Sequence, residues 1–448
     1  MARGARAARY AEAGNPRRSA AAHGNQADPP DGVREGPLVI KFGGTSVGEG
    51  ARFVRAAGIA ADAGRPTVVV VSAMSGTTDA LLGLAKATAA GNTGDAVGAP
   101  ARTSTGAAGE GTVAELHRFL AERHTRAARA AVSGGHLPAV EERLRSLLGR
   151  LLEVVDEPFE GGAARRDAIV QFGERLSAEV LAGAMRSLGV AAEVVGGDPI
   201  ATDANFGEAE VLVGETRERA AEYVAPILAS SAIAVVPGYV GRAPNGSVTT
   251  LGRGGTDLSA TVLGRALGSP RVWIMTDVTG VLSADPRLVP EAVTLPRLSY
   301  REAGIFAGLG AKVLHPKTTE PAAAAGMEVL VRNSFDPYAA GTRITAQSAG
   351  PGVRCVALWR GIKLEVPGSR GHKSEAAVVV CIGSPGKADA ARGRRLLRKR
   401  GIALLHSGVT SAGLNFVVGA HAAEEALRAL HDGLVTPAVI PAEAREVA

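Results

Sequence analysis

Five consecutive residues, Thr67 to Val71, carry β-branched side chains with no charge among them. A continuous run of this kind is typical of a strand that is buried on both faces, as in a parallel sheet covered by helices. Longer amphipathic stretches separate it from similar runs. These lie at 38–42, 192–195, 233–236, 272–275 and 329–332. The alternation predicts a layered α/β domain around a mostly parallel central sheet.

The chain of 448 residues is too long for one hydrophobic core, so more than one domain is expected. Residues 1–36 are rich in Ala, Arg and Gly without apolar periodicity, which predicts a disordered leader. Residues 37–345 carry the α/β alternation, and leucines within 113–156 have the spacing of a helical hairpin with one apolar face. Residues 352–448 contain helix-like runs and strand-like runs, among them two separate strands expected at 354–358 and 362–366, and suit a small α+β ferredoxin-like module.

Composition and charge argue against several classes of protein. The formal net charge of +6 is concentrated at the two ends of the chain, which is weak evidence for nucleic-acid binding. The two cysteines, Cys355 and Cys381, lack metal-ligand or redox spacing and fit a reducing cytoplasm. The basic run 392–400 includes leucines, so a solvated helix face explains it better than a nucleic-acid patch. No apolar run approaches membrane-spanning length.

The first motif that indicates chemistry ends the first predicted strand. Lys41 is followed by Phe42 and the paired glycines Gly43 and Gly44. Glycines let backbone N–H groups approach a ligand closely, and N–H donors beside an ammonium are what a nucleotide phosphate needs. No G-x-x-x-x-G-K-[ST] run of the common P-loop occurs. The alternative is an ordinary strand-turn with a solvated lysine.

A second glycine cluster at 251–260 leads into a predicted helix. Arg253 can clamp a carboxylate with two parallel hydrogen bonds, and the helix N-terminus favours an anion. Asp257 is the more informative residue, because a carboxylate beside a phosphate is repulsive unless it orients a lysine or a magnesium ion. An ordinary N-cap on a glycine-rich loop is the alternative.

Three weaker signals accompany these motifs. Polar residues at 276–287 follow a strand end, and ligands bind α/β sheets at the carboxyl ends of strands. Turn chemistry alone explains the Asp-Pro pair in that segment equally well. Lys312 can bring a second cation to a nucleotide. Glu174 begins a predicted helix, where it either binds a substrate ammonium or simply favours the helix N-terminus.

Together the motifs resemble those of aspartate kinases of the amino-acid kinase superfamily. The matching segments occur in the family's order and are KFGGTSV at 41–47, VSAMSGTTD at 71–79, QFGERLS at 171–177, TDANFG at 202–207, LGRGGTDLSA at 251–260, TDVTGVLSADPR at 276–287 and GAKVLHP at 310–316. The resemblance covers nearly all of 37–345. It implies a three-layer kinase domain, and the hairpin at 113–156 is similar to the insertion of the long, single-polypeptide members.

The resemblance also implies roles for individual residues. Lys41 and Asp257 would be catalytic, with Asp257 orienting Lys41 at the transferring phosphoryl group. The substrate would be held by Thr78, Glu174 through its ammonium, Phe206, and Arg253 through its α-carboxylate. The ATP site would be formed by Lys41, Gly43, Gly44, Thr276, Asp277, Leu282, Arg287, Lys312 and Val313.

The implied reaction is the ATP-dependent phosphorylation of the side-chain carboxylate of L-aspartate to 4-phospho-L-aspartate, the first step towards lysine, threonine and methionine. A carboxylate with a reference pKa near ~4 is already ionised at neutral pH, so no general base is needed. Lysines, N–H donors and Mg²⁺ carried with ATP would supply the catalysis. A kinase acting on another small acid and a non-catalytic effector-binding paralogue are the alternatives.

The sequence departs from the family pattern in two places. Leu282 stands where the family often has a tyrosine near the adenine. The segment 352–448 is shorter than the two tandem ACT-type domains usual in aspartate kinases, and its first repeat is degenerate. The resemblance implies lysine or threonine as a possible effector and a homo-oligomer (a dimer or larger), and the cysteine usage predicts a cytoplasmic location.

Overall fold

The computed structural model describes residues 36–64, 66–89, 111–310, 314–348, 350–365 and 373–435. Within these ranges the chain forms two compact units. Unit 1 comprises residues 36–277 with Ser334–Pro337, and unit 2 comprises Val278–Asn333 and the chain from Tyr338 onward. The predicted leader lies outside the described residues except for Gly36, and the domain boundaries expected from the sequence remain predictions.

Unit 1 contains five parallel strands in the order β3-β4-β2-β1-β7, and a separate antiparallel pair, β5 and β6. The strands are β1 (Leu38–Phe42), β2 (Thr67–Val71), β3 (Ala192–Val194), β4 (Ile233–Pro237), β5 (Val240–Arg242), β6 (Val248–Thr250) and β7 (Arg271–Thr276). In the centre, Ile40 pairs with Val69 on one side and Trp273 on the other. Every residue of β1, β2 and β4 is buried, which is why these runs contain no alternation of apolar and polar residues.

Helices cover this sheet and extend it. They are α1 (Gly50–Ala61), α2 (Thr77–Ala89), α3 (Val113–Ala131), α4 (Leu137–Asp156), α5 (Gly162–Val170), α6 (Phe172–Ser187), α7 (Val213–Tyr223), α8 (Ala225–Ala229) and α9 (Gly255–Ala266). Helix α3 begins with a capping box between Thr112 and Glu115, and α3 and α4 form a hairpin. The leucines that predicted its apolar face, such as Leu120 and Leu144, are buried in the core of unit 1.

Unit 2 contains a three-stranded group and a four-stranded antiparallel sheet in the order β11-β12-β14-β13. Its strands are β8 (Arg297–Ser299), β9 (Glu328–Asn333), β10 (Thr342–Thr345), β11 (Gly352–Glu365), β12 (Lys373–Ser384), β13 (Leu404–Thr410) and β14 (Gly413–Gly419). Its helices are α10 (Tyr300–Gly308), α11 (Pro316–Ala325), α12 (Lys387–Lys399) and α13 (Ala423–Leu434). Across the described ranges of both units, no helix is long and apolar enough to cross a membrane.

The predicted fold class, a mostly parallel α/β sheet with a small α+β module, is confirmed. From β12 onward the chain runs strand, helix, strand, strand, helix, and β11 lies beside β12 at the edge of the sheet. One detail of the prediction was wrong, because the two strands expected at 354–358 and 362–366 are not separate: residues 354–358 and 362–365 belong to the single strand β11. The ladder continues across an irregularity between Trp359 and Ile362, where Gly361 has a φ of +84°.

The segment that follows β7 packs into the core of the four-stranded module. Ala284 and Val289 belong to the same buried cluster as Val356, Phe416 and Leu427. Two hydrogen bonds reinforce this packing. The N–H of Val356 donates to the carbonyl of Ser283 at 2.8 Å, and the Ser283 hydroxyl lies 2.8 Å from Nε2 of His431. The motif segment and the C-terminal module therefore share one hydrophobic core.

Candidate active site

The ends of β1 and α9 bring two charged residues together. Lys41 is the penultimate residue of β1 and is buried, while Asp257 lies in the first turn of α9. The Lys41 Nζ lies 2.6 Å from Oδ1 of Asp257. Because the N-terminus of a helix presents free N–H groups and a positive partial charge, this corner of the sheet can accept an anion.

The paired glycines after β1 permit a close approach of backbone to the Lys41 ammonium. A Cβ at Gly43 would lie 3.2 Å from Lys41 Nζ, and a Cβ at Gly44 would lie 2.8 Å from the carbonyl oxygen of Ala73. The turn is held from both sides, since Gly43 donates its N–H to Met275 at 3.3 Å and the Gly44 carbonyl accepts from Ser75 at 3.3 Å. The turn beside Lys41 is therefore fixed in place, with the N–H of Gly43 bound to Met275.

Left-handed glycines shape the loop before α9. Gly252 and Gly254 have φ values of +72° and +75°, which favour glycine over any residue with a side chain. Arg253 lies between them and is exposed. Within the described part of the chain it has no hydrogen-bond or ion-pair partner, so its guanidinium group is available to an external carboxylate.

A buried carboxyl group lies at the start of α6. Glu174 is 4% exposed, and burial raises its pKa to about 8 against the opposing effect of hydrogen bonds from the backbone N–H groups of Ala73 and of Glu174 itself. The carboxyl group is therefore mostly neutral at pH 7. A cation placed beside it would favour the charged form and lower this pKa.

Ala73 connects the glycine turn to the buried carboxyl group. Its carbonyl faces Gly44, and its N–H donates to Glu174. A Cβ at Gly173 would lie 2.8 Å from the Cβ of Ala73 and 3.3 Å from Cγ2 of Thr77. The start of α6 therefore packs against the start of α2, where the half-buried Thr78 is located.

The loop of Phe206 and the loop of Arg253 are in contact. A Cβ at Gly252 would lie 3.1 Å from the carbonyl oxygen of Gly207, which directly follows Phe206. Phe206 itself is half-buried and lines a cavity of about 500 Å³ between α4, α5, α6 and the β5–β6 hairpin. None of the other predicted site residues described in the structure lines that cavity.

The predicted nucleotide residues are divided between the units. In unit 1, Thr276 ends β7, and its carbonyl accepts from the N–H and the hydroxyl of Ser334 at 2.7 and 3.0 Å. The exposed Asp277 follows Thr276 and is the last residue of this segment of unit 1. The Ser46 hydroxyl donates to that of Ser334 at 2.8 Å, which ties the turn after β1 to the end of β7.

In unit 2, Leu282 is half-buried and forms an isolated antiparallel bridge with Thr294. Arg287 is exposed and paired with Asp285 at 2.5 Å. Lys312 and Val313 lie outside the described residues. The assignment of these four positions to ATP stays a prediction.

Two residues near the site were not predicted from the sequence. The ring of Tyr239 packs against the start of α9, where a Cβ at Gly255 would lie 2.6 Å from it. Burial raises the pKa of Tyr239, and the carboxylate of Glu174 adds to that rise. Its place just after β4, at the carboxyl edge of the sheet, was a usable signal. Asp167 is completely buried in α5, and no sequence pattern identifies its partners.

The donor set at the site fits a magnesium ion carried by a nucleotide. Within the described ranges no group of three His, Cys, Asp or Glu side chains is placed to hold a metal ion. Mg²⁺ in phosphotransferases needs only one or two protein carboxylates, because phosphate oxygens and waters complete its coordination. Asp257 is a carboxylate at the anion-accepting corner and meets that requirement.

Residues 36–333 match the family model of the amino acid kinase family, and the chain belongs to that family. Its curated relatives include aspartokinases. The lysine-sensitive aspartokinase 3 of Escherichia coli (strain K12) is 32% identical over 330 residues, which cover 72% of this chain and 67% of the relative. Aspartokinase 2, chloroplastic, of Arabidopsis thaliana is 34% identical over 316 residues, covering 70% of this chain and 55% of the relative. The chain thus spans about half the length of the plant relatives it matches.

Solved aspartokinase structures share the fold. Aspartokinase III of E. coli in complex with aspartate and ADP aligns with a TM-score of 0.70 and 24% identity, covering 89% of this chain and 100% of that chain. The aspartate kinase of Clostridium acetobutylicum aligns with a TM-score of 0.71 and 17% identity, covering 88% and 99%. At these identities the likeness establishes the architecture.

Proposed function

We propose that this protein transfers the γ-phosphoryl group of ATP to the side-chain carboxylate of L-aspartate, giving 4-phospho-L-aspartate. The observation that carries the proposal is the contact of Lys41 with Asp257, 2.6 Å apart beside the glycine turn after β1. An ammonium, fixed backbone N–H groups and a helix N-terminus at one corner are suited to a phosphoryl group whose negative charge is spread over its oxygens.

Substrate recognition is proposed to use two opposite charges. The exposed guanidinium group of Arg253 binds the α-carboxylate, and the buried carboxyl group of Glu174 binds the α-ammonium. Thr78 and Phe206 complete the pocket. The β-carboxylate of aspartate is ionised at neutral pH and attacks without a general base, so positioning and charge neutralisation account for the rate. Mg²⁺ bound to ATP would neutralise part of the charge on its phosphates.

The named relatives support this choice of substrates. The E. coli aspartokinase III structure contains aspartate and ADP, and another structure of that enzyme contains lysine and aspartate. We propose on this basis that the chain serves lysine, threonine and methionine formation and that lysine or threonine is its effector. We also propose that it acts as a homo-oligomer, because ACT-type modules commonly pair.

A hydroxamate assay tests the reaction. Purified protein with ATP, Mg²⁺, L-aspartate and hydroxylamine is expected to yield aspartyl hydroxamate, because hydroxylamine traps an acyl phosphate. Folded protein that forms no hydroxamate would refute the proposal. Repeating the assay with L-glutamate and other small acids identifies the preferred acceptor, and adding lysine, threonine and both together identifies the effector.

A further inference from the structure

One carboxylate binds two loops of unit 1 at once. The side chain of Asp167 on α5 is fully buried. Its Oδ2 accepts the backbone N–H of Gly207 at 2.7 Å and the backbone N–H of Thr250 at 2.9 Å. Its Oδ1 lies 3.4 Å from the guanidinium group of Arg166. The three segments that meet here are separated by dozens of residues in the sequence.

Each of the two loops carries a residue that the proposed function assigns to the substrate. Gly207 directly follows Phe206, and Thr250 ends β6 three residues before Arg253. A second backbone contact joins the same loops, since Ala209 donates its N–H to the carbonyl of Thr250 at 3.0 Å. The loops of Phe206 and Arg253 are therefore joined by this backbone contact and by two hydrogen bonds to one oxygen atom, Oδ2 of Asp167.

Burying the carboxylate of Asp167 costs free energy, which indicates that this residue has a specific role. Burial raises the pKa of Asp167, and the N–H donors of Gly207 and Thr250 oppose that rise. A charged acceptor makes stronger hydrogen bonds than a neutral one, and removing it would leave two buried amide N–H groups without a partner. Packing alone would be served equally well by an apolar side chain at this position.

We propose that Asp167 is a positioning residue of the amino-acid site, which holds the loops of Phe206 and Arg253 at the separation that an α-amino acid requires. The role rests on the proposed function. Asp167 has no direct contact with the substrate, and it acts through the backbone at Gly207 and Thr250.

The test compares KM values of the full chain and its variants for L-aspartate and for ATP. Asp167→Asn keeps a neutral acceptor and is expected to raise KM for aspartate roughly three- to tenfold, while Asp167→Ala raises it roughly a hundredfold. KM for ATP is expected to stay within about twofold, because Lys41 and the glycine turn make no contact with Asp167. If the alanine variant does not fold, the asparagine variant carries the test.

A second readout uses β-alanine, which is aspartate without its α-carboxylate. The wild type is expected to have a much higher kcat/KM for aspartate than for β-alanine. Asp167→Asn is expected to reduce this ratio, because a displaced Arg253 no longer binds the α-carboxylate. A loss of stability without a change of geometry would leave the ratio of kcat/KM for the two substrates unchanged.

Asp198→Asn is the matched control. Asp198 is also nearly buried, but its carboxylate binds the side chains of Arg175 and Arg242. This variant is expected to lower the melting temperature without changing KM for aspartate. Unchanged KM for aspartate in Asp167→Asn, or an equal rise in both KM values, would overturn the positioning role alone. A wild type that does not phosphorylate aspartate would overturn the proposed function, and this role with it.

Discussion

The ammonium group of Lys41 and the carboxylate of Asp257 form an ion pair 2.6 Å long between the end of β1 and the first turn of α9. Both side chains are largely buried, so each neutralises a charge that would otherwise be costly to remove from water. The pair holds the ammonium beside the N–H groups of the glycine turn. The arrangement leads to the first prediction.

Replacing Lys41 with alanine removes the cation at this corner. We expect Lys41→Ala to lower kcat for aspartyl phosphate formation roughly 10³-fold, the usual scale for losing one transition-state charge contact. Lys86→Ala on α2 is the matched control, because Lys86 is exposed and makes no contact with the corner. Turnover measured by ADP release checks both, and an unchanged kcat in Lys41→Ala would remove Lys41 from the catalytic group.

The raised pKa of Glu174 predicts pH-dependent substrate binding. Before substrate binds, the carboxyl group of Glu174 has a pKa of about 8 and must lose its proton to bind an ammonium. KM for aspartate is therefore expected to fall about tenfold for each pH unit between 6 and 8 and to level off above 8. Glu174→Gln is expected to raise KM and to abolish this slope. A wild-type KM independent of pH in that interval would contradict the assignment.

The same group predicts how stability changes with pH. Between pH 4.5 and about 8 the folded protein holds a proton that Glu174 has released in the unfolded chain. The contribution of Glu174 to the free energy of unfolding therefore decreases as pH rises through this interval, by about 1.4 kcal/mol per pH unit. Thermal melts of wild type and Glu174→Gln without aspartate are expected to diverge in favour of the variant towards pH 8. Parallel curves would show that the pKa of Glu174 is not raised in the folded protein.

The strands of unit 1 were predictable because a strand that is buried on both faces consists almost entirely of apolar residues. Thr67–Val71 contains no polar position after its first residue, and only a central parallel strand uses such a run. The continuity of β11 was not predictable, because Gly361 interrupts the apolar pattern and only the pairing with β12 shows that the ladder continues. A local pattern records propensity, whereas register depends on a partner that lies elsewhere in the chain.

Gly43 tests the close approach at the glycine turn. Its backbone has ordinary extended angles, φ −74° and ψ 165°, so alanine is permitted there. The added Cβ would lie 3.2 Å from Lys41 Nζ and would displace the ammonium group. We expect Gly43→Ala to keep its melting temperature within about 2 °C while kcat falls roughly tenfold or more.

The control for Gly43 is another glycine-to-alanine change in open space. A Cβ at Gly149, inside α4, would meet nothing within 4 Å. Gly149→Ala is expected to raise the free energy of unfolding by up to about 1 kcal/mol, through helix propensity, and to leave kcat unchanged. Full activity in Gly43→Ala would show that a side chain at position 43 does not displace the Lys41 ammonium group from its working position.

Arg253 tests recognition of the α-carboxylate. We expect Arg253→Ala to raise KM for aspartate roughly a hundredfold and Arg253→Lys roughly tenfold, because lysine keeps the charge but not the two parallel hydrogen bonds. Arg217→Ala on α7 is the control, since Arg217 is exposed and lies outside the predicted site. If KM for aspartate were the same in Arg253→Ala, Arg253→Lys and Arg217→Ala, Arg253 would be excluded from the substrate pocket.

The motif residues of the candidate site could be selected from the sequence because the chemistry of glycine, lysine and arginine follows from residue type and spacing, and their roles remain predictions. Asp167 was not accessible, because its partners are backbone amides at Gly207 and Thr250, and a backbone amide has no residue-type signature. The grouping of Ala284 and Val289 with the C-terminal module was missed for a similar reason. Their small apolar side chains are ordinary in a turn, and only the fold reveals what covers them.

The shared core of the 281–292 segment and the C-terminal module has a practical consequence for dissecting this protein. A chain shortened to end at residue 345 would keep Ala284 and Val289 but lose Phe416 and Leu427, against whose cluster they are buried. Such a fragment is expected to expose an apolar surface and to aggregate. Removing residues 346–448 is therefore expected to destabilise the segment that contains Ala284 and Val289, and with it the second half of the TDVTGVLSADPR motif.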